Sequence, residues 1–129
     1  MKISVVVPVF NAIDDVKKCL QSVKENFDFS DGEVLIVDDC SGEETAAYLK
    51  KESATNPDKF TLFRNPENSG FPKTCNNGIA KAKGEIIVLL NSDTMIPARF
   101  CEKIAACFDS DPSIAVASPI AAYSGSYFI

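Results

Sequence analysis

The sequence predicts an α/β domain, a mostly parallel β-sheet with helices on both faces, and three observations carry that expectation. Short, continuously apolar runs recur along the chain, as in SVVVPV, VLIV and IIVLL. Segments with apolar residues every three or four positions separate them. Hydrophobic residues make up 46% of the 129, enough for one core. A strand wetted on one face alternates apolar and polar side chains, whereas a continuous run belongs to a strand covered on both. Strands that alternate with helices join as parallel neighbours through crossovers of one hand. Residues 1–129 are therefore expected to form a single domain without internal repeat or linker.

The elements follow in order. Ile3 to Val9 is a β-branched run and the first strand. Ile13, Val16, Leu20 and Val23 then mark a helix, with Asp14 and Asp15 in its first turn, where the helix dipole favours anions. Val34 to Val37 is a second buried strand that ends on Asp38 and Asp39. A helix from Gly42 to about Ser53 turns Ala46, Tyr48 and Leu49 inward, with Ser41 as its expected cap. Phe60 to Phe63 is a third strand, and RNPENSGFPK after it is crowded with turn formers. Thr74 to Lys83 is a short helix closed by Gly84. Ile86 to Leu90 is a fourth strand covered on both faces, Ala98 to Phe108 a helix behind Pro97, and Ile114 to Ser118 a fifth strand.

Composition removes several classes. The formal net charge is −5 with Lys and Arg scattered, so there is no concentrated basic stripe and no nucleic-acid partner is expected. A phosphate-bearing ligand stays compatible, because a divalent cation inverts the local charge. The five cysteines are odd in number, lack a CxxC pair and have no histidine beside them. A zinc site would need four badly spaced thiolates, so reduced, mostly buried thiols are expected instead. The longest apolar run is too short to span a membrane, and no signal-peptide pattern follows Lys2, so a cytoplasmic location is expected.

In a parallel α/β sheet, ligands bind beyond the carboxyl ends of the strands. The strand exits here are Phe10-Asn11, Asp38-Asp39-Cys40-Ser41, Arg64-Asn65 and Asn91-Ser92-Asp93. Two carboxylate clusters on one rim repel each other unless a cation or a donor-rich ligand intervenes. Hard oxygen ligands suit Mg²⁺ or Mn²⁺, which bind phosphate oxygens alongside one or two carboxylates. The alternative is that Asp39 and Asp93 serve turns and helix caps. Neither GxGxxG nor GxxxxGK[ST] is present, which disfavours a dinucleotide Rossmann site and excludes a P-loop.

Three segments, SVVVPVFNA, LIVDDCS and NSGFPKTCNNGIAKAKGEIIVLLNSDT, resemble the family-two nucleotide-sugar glycosyltransferases of GT-A fold, in the family's order. The likeness runs from Ile3 to about Ala117. It implies that backbone at Pro8 lies beside the nucleobase, that Val9, Phe10 and Asn11 line the same pocket, and that Asp39 accepts a hydrogen bond from the base, usually uracil. Asp38 is assigned to the strand-two turn. Asn68 to Asn76 matches the family's NxGxxxxxN segment, in which Asn68, Gly70 and Asn76 frame the nucleotide. Cys75 stands where many members have Arg, and Lys73 is the nearby positive charge for the diphosphate; Cys75 itself is read as a packed helix residue. By resemblance Asp93 coordinates Mn²⁺ or Mg²⁺, with Asn91 and Ser92 positioning the sugar or the loop.

The activity so implied is inverting transfer of a sugar from a nucleoside-diphosphate sugar, a UDP-sugar by the base contact, to an acceptor saccharide or lipid-linked saccharide. Bacterial surface polysaccharide is the implied product, made at the inner face of the membrane. The family's general base sits well beyond the metal motif, so no catalytic residue is identified up to Ile129, and the donor-binding half alone is expected. An incomplete sheet edge then suggests self-association. Two other classes stay open: a non-catalytic nucleotide-sugar-binding or scaffold module, and a phospho-receiver domain. The second would place its acidic pair after strand one and a Lys after strand five, where this chain has FNA and SPI.

Overall fold

In the computed structural model, which describes residues 2–119, four strands form one parallel sheet. They are β1 (Ile3–Val9), β2 (Gly32–Asp38), β3 (Phe60–Arg64) and β4 (Ile86–Leu89), in the order β3-β2-β1-β4. Helices α1 (Ile13–Asn26), α2 (Glu43–Thr55), α3 (Phe71–Ile79) and α4 (Phe100–Ser110) alternate with them. All seven residues of β1 are buried, as its continuous apolar run requires of a central strand.

The pleat divides the strand side chains between two cores. Ile3, Val5, Val7 and Val9 meet Val16, Cys19, Leu20 and Val23 of α1 and Leu49 of α2, with Phe100, Ile104 and Phe108 of α4 packed against the same cluster. Full burial of each Leu or Val here contributes about 1.5–3 kcal/mol. On the other face Val6, Leu35 and Val37 lie under α3. Gly78 lets that helix approach, because a Cβ there would stand 2.3 Å from Val6 Cγ1 and 3.2 Å from Val37 Cγ2.

Five expectations need correction. Ile114 to Ser118 is not a strand, and Val116 is 87% exposed. An apolar run becomes a strand only when a neighbouring edge takes its N–H and C=O groups, and β4 pairs with β1 alone among the described residues. β4 is therefore an edge strand covered on one face: Ile86 is buried and Val88 half-buried, while Ile87 and Leu89 are exposed. α3 begins at Phe71, because Gly70 at φ 88° makes the turn and Pro72 tolerates the first helical turn. It ends at Ile79 with Ala80 as its cap, so Gly84 does not close it; Gly84 instead gives its N–H to Ser4 Oγ at 2.7 Å. Ser41 does not cap α2, since its Oγ accepts the Asn11 N–H at 2.9 Å while Asn11 Oδ1 accepts the Gly42 N–H at 2.8 Å. Finally, only Cys19 and Cys75 of the five free cysteines are buried.

Candidate functional site

Because the four strands are parallel, their exits share one rim, and each exit carries a distinct chemistry. At β2, register pairs Asp38 with Arg64 of β3. The Arg64 guanidinium forms an ion pair with the Asp38 carboxylate, which is 1% exposed and also accepts the Ser41 N–H at 3.0 Å. A second Arg64 nitrogen donates to Ser41 O at 3.1 Å. Asp38 thus organises the strand-two turn, and its charge is neutralised inside the protein.

Asp39 is 4% exposed. Its Oδ1 accepts from Asn65 Nδ2 at 2.9 Å and from the Ser69 N–H at 2.7 Å, and its Oδ2 accepts from the Gly70 N–H at 2.9 Å. Burial pushes the carboxyl pKa up, but these donors and Thr74 outweigh it and hold the group below its ordinary value. The network continues outward. Asn65 Nδ2 also reaches Thr74 Oγ1 at 3.1 Å, Thr74 Oγ1 donates to Gly70 O at 2.8 Å, and Asn77 Nδ2 donates to Asn65 Oδ1 at 3.0 Å. Asn68 Nδ2 lies 3.4 Å from Asp39 O. One buried carboxylate therefore shapes the whole 68–70 loop and joins it to α3. A carboxylate has about four lone-pair sites, so Oδ2 retains acceptor capacity.

At the β1 exit, Pro8 and Val9 are buried in the sheet, and the Val9 carbonyl accepts the Asp39 N–H at 2.8 Å. Phe10 is 52% exposed, and Asn11 and Ala12 follow with φ of 54° and 56°. Asn tolerates that left-handed region, whereas for Ala it costs about 1–2 kcal/mol. Lys73 and Asn76 are exposed on α3. An open cleft between the first turns of α1 and α2 is lined by Asp14, Asp15, Glu43 and Glu44, a setting hostile to a diphosphate.

The β4 exit differs in kind. A turn closes from the Thr94 N–H to Asn91 O at 3.1 Å, with the half-buried Ser92 and the exposed Asp93 at its tip. Among the described residues Asp93 makes no hydrogen bond or ion pair, although burial and its nearby charge push the Cys19 thiol up to about 11. The two acidic clusters do not converge as free carboxylates. β1 lies between their strands, so two inter-strand spacings, about 10 Å, separate the axes of β2 and β4. No group of three or more His, Cys, Asp or Glu is placed to hold a metal among the described residues. A cation at Asp93 would draw one ligand from the protein and the rest from phosphate oxygens and water, an arrangement Mg²⁺ and Mn²⁺ accept.

Residues 4–129 match the family described as Glycosyl transferase family 2. The chain belongs to that family. An uncharacterized glycosyltransferase of Haemophilus influenzae is 31% identical over 112 residues, covering 87% of this chain and 36% of that protein. The poly(ribitol-phosphate) β-N-acetylglucosaminyltransferase TarS of Staphylococcus aureus is 32% identical over 88% of this chain and 20% of its own length. TarS in complex with UDP-GlcNAc superposes with a TM-score of 0.74 at 31% identity, over 85% of this chain and 32% of that one. The mannosyltransferase PcManGT of Pyrobaculum calidifontis, in complex with GDP-Man and Mn²⁺, gives 0.76 at 28%, over 87% and 33%. The fold is the GT-A type expected from the sequence. This family 2 chain spans about a third or less of each of these proteins.

The structure brings Asp39, Asn68 and Gly70 into one bonded unit and places Pro8 to Asn11 beside it, with Asn91 to Asp93 across β1. Sequence reasoning missed Asn65, Ser69 and Thr74 as partners of Asp39, and Arg64 as the partner of Asp38. A signal existed for the strand-three pair: Arg64-Asn65 follows Phe60–Phe63 as Asp38-Asp39 follows Val34–Val37, so parallel pairing aligns them.

Proposed function

We propose that the chain is the donor-binding part of an inverting, metal-dependent glycosyltransferase. Its donor is a UDP-sugar, and its acceptor is a hydroxyl on a surface saccharide or lipid-linked saccharide, handled in the cytoplasm at the inner face of the membrane. One observation carries this reading: the rim pairs a buried, loop-ordering carboxylate on one side of β1 with an exposed carboxylate on the other that makes no hydrogen bond or ion pair among the described residues. Asp39 Oδ2 accepts the imide N–H of uracil while its other bonds hold the 68–70 loop against the nucleotide. Backbone at Pro8 and Val9, with Phe10 and Asn11, forms the floor beside the base. Asn68, Gly70 and Asn76 frame the nucleotide, and Lys73 in the first turn of α3 adds positive charge toward the diphosphate. Asp93 holds Mn²⁺ or Mg²⁺, with Asn91 and Ser92 shaping the turn. When bound, the cation stabilises charge on the departing nucleoside diphosphate.

Of the carboxylates at the strand exits, Asp38 and Asp39 are already committed and Asp93 faces the cation. None is left to take the acceptor proton, so these 129 residues alone are expected to bind donor and transfer sugar poorly. Isothermal titration with UDP tests the binding: affinity should rise when Mn²⁺ is added, and a UDP-sugar should compete. No heat with UDP and Mn²⁺ together overturns the reading, and efficient turnover by the chain alone overturns its second part. The outer edge of β4, with Ile87 and Leu89 exposed, also supports association of two copies.

A further inference from the structure

The turn that carries Asp93 leaves the sheet at Leu90, whose N–H still donates to Val6 O at 2.9 Å. From there to the first residue of α4, Phe100, no regular element intervenes. Its far end is nonetheless held, and by α1 rather than by its own neighbours. Ile96 is buried at 4% exposure, its N–H donates to Ser22 Oγ at 3.0 Å, and its carbonyl accepts from Asn26 Nδ2 at 3.0 Å. The Ser22 hydroxyl in turn donates to Cys19 O at 2.7 Å, which fixes the direction of its lone pairs. Cys19 Sγ lies 3.8 Å from Asn91 O, a weaker contact at the near end of the same turn. Positions 19, 22 and 26 recur at helical spacing, so one stripe of α1 faces the segment from Asn91 to Ile96. Asn91 and Ile96 are thereby fixed five positions apart, with the exposed Asp93 between them.

We infer that Ser22 and Asn26 are positioning residues that hold the Asp93 carboxylate in place for its cation. This rests on the reading of Asp93 as the cation ligand. An exposed carboxylate on a free loop would lose chain entropy each time a cation bound, and prior anchoring at both ends removes that cost. Ser22 and Asn26 touch neither nucleotide nor cation, so they set cation affinity while leaving the base side of the rim, built on Asp39, unchanged.

The test compares the full chain with Asp93→Asn, Ser22→Ala, Ser22→Thr and Asn26→Asp. It includes Ser4→Ala as a control, because Ser4 is also a buried hydroxyl and lies at the opposite end of the sheet. Mn²⁺ affinity is read by electron paramagnetic resonance at saturating UDP, UDP affinity by calorimetry without metal, and amide exchange of residues 92–95 by mass spectrometry. Ser22→Ala and Asn26→Asp are each expected to weaken Mn²⁺ binding about tenfold, the usual range for residues that orient a metal ligand. Both should speed exchange at 92–95 and leave metal-free UDP affinity alone. Ser22→Thr, which keeps the hydroxyl, should restore Mn²⁺ affinity, and Ser4→Ala should change neither. If Asp93→Asn loses Mn²⁺ while Ser22→Ala and Asn26→Asp stay within twofold of the parent, the positioning role is overturned. If the parent and Asp93→Asn bind Mn²⁺ equally, the reading of Asp93 fails and the positioning role goes with it.

Discussion

Asp39 does two things at one point: it accepts three N–H groups from a loop about thirty residues downstream, and its Oδ2, bonded only to the Gly70 N–H, retains acceptor capacity. Asp39→Asn preserves the shape but replaces an acceptor by an NH₂ group that faces donors. A loss of about 1–3 kcal/mol is expected, read as a lower urea midpoint, together with weaker UDP binding. The acid limb of stability follows from the same bonds. The folded pKa of Asp39 is below its unfolded value of about 3.9, so its contribution is complete above that value and is lost as pH falls through the folded pKa. Glu33 behaves alike: burial raises its pKa, but the Ser4 hydroxyl, the Lys83 N–H and the Lys2 and Lys83 charges bring it below the usual value. Acid titration of urea midpoints should therefore fall below about pH 4 in the parent and fall less steeply in Asp39→Asn. Equal slopes would show that Asp39 is not a source of the acid sensitivity.

At the scale of elements, α3 matters most for the site, because it both closes one face of the sheet and carries the end of the Asp39 network through Thr74 and Asn77. Its seating depends on Gly78. Gly78→Ala places a methyl inside contact distance of Val6, and overpacking of that kind costs about 1–3 kcal/mol. The expected outcome is a lower melting temperature with a matching loss of UDP affinity, since displacing α3 drags the 68–70 loop. Stability retained to within a few tenths of a kcal/mol would mean that α3 shifts freely, contrary to its contacts with β1 and β2. The sequence made a short helix legible from Thr74 onward, but not its start, because the three residues before Thr74 join the helix only through the turn that Gly70 makes. Ile114 to Ser118 is the complementary case: its composition suits a strand, yet strand status depends on whether the folded chain lies against an open edge, which no local pattern encodes.

For the whole molecule, the half-covered β4 strand is the feature with the widest consequence. Ile87 and Leu89 lie on the face that α3 covers over β1 and β2, and they remain exposed beyond its reach. Association of two copies along this edge is expected to appear in sedimentation velocity as a species whose share grows with protein concentration. Leu89→Lys should shift it toward monomer, as charged side chains do on sheet edges. A single monomeric species at every concentration would overturn that expectation. What the sequence determined unaided is the alternation of strands and helices and the placing of Asp38-Asp39 and Asn91-Ser92-Asp93 at strand exits, because periodicity and turn residues act within a few positions of themselves. Only the tertiary structure decided strand order, the edge status of β4, the pairing of Asp38 with Arg64 and the grip of α1 on Ile96. Those last partners stand 26 to 74 residues apart, and a hydrogen bond is chosen by which groups the folded topology brings within about 3 Å, not by any local repeat.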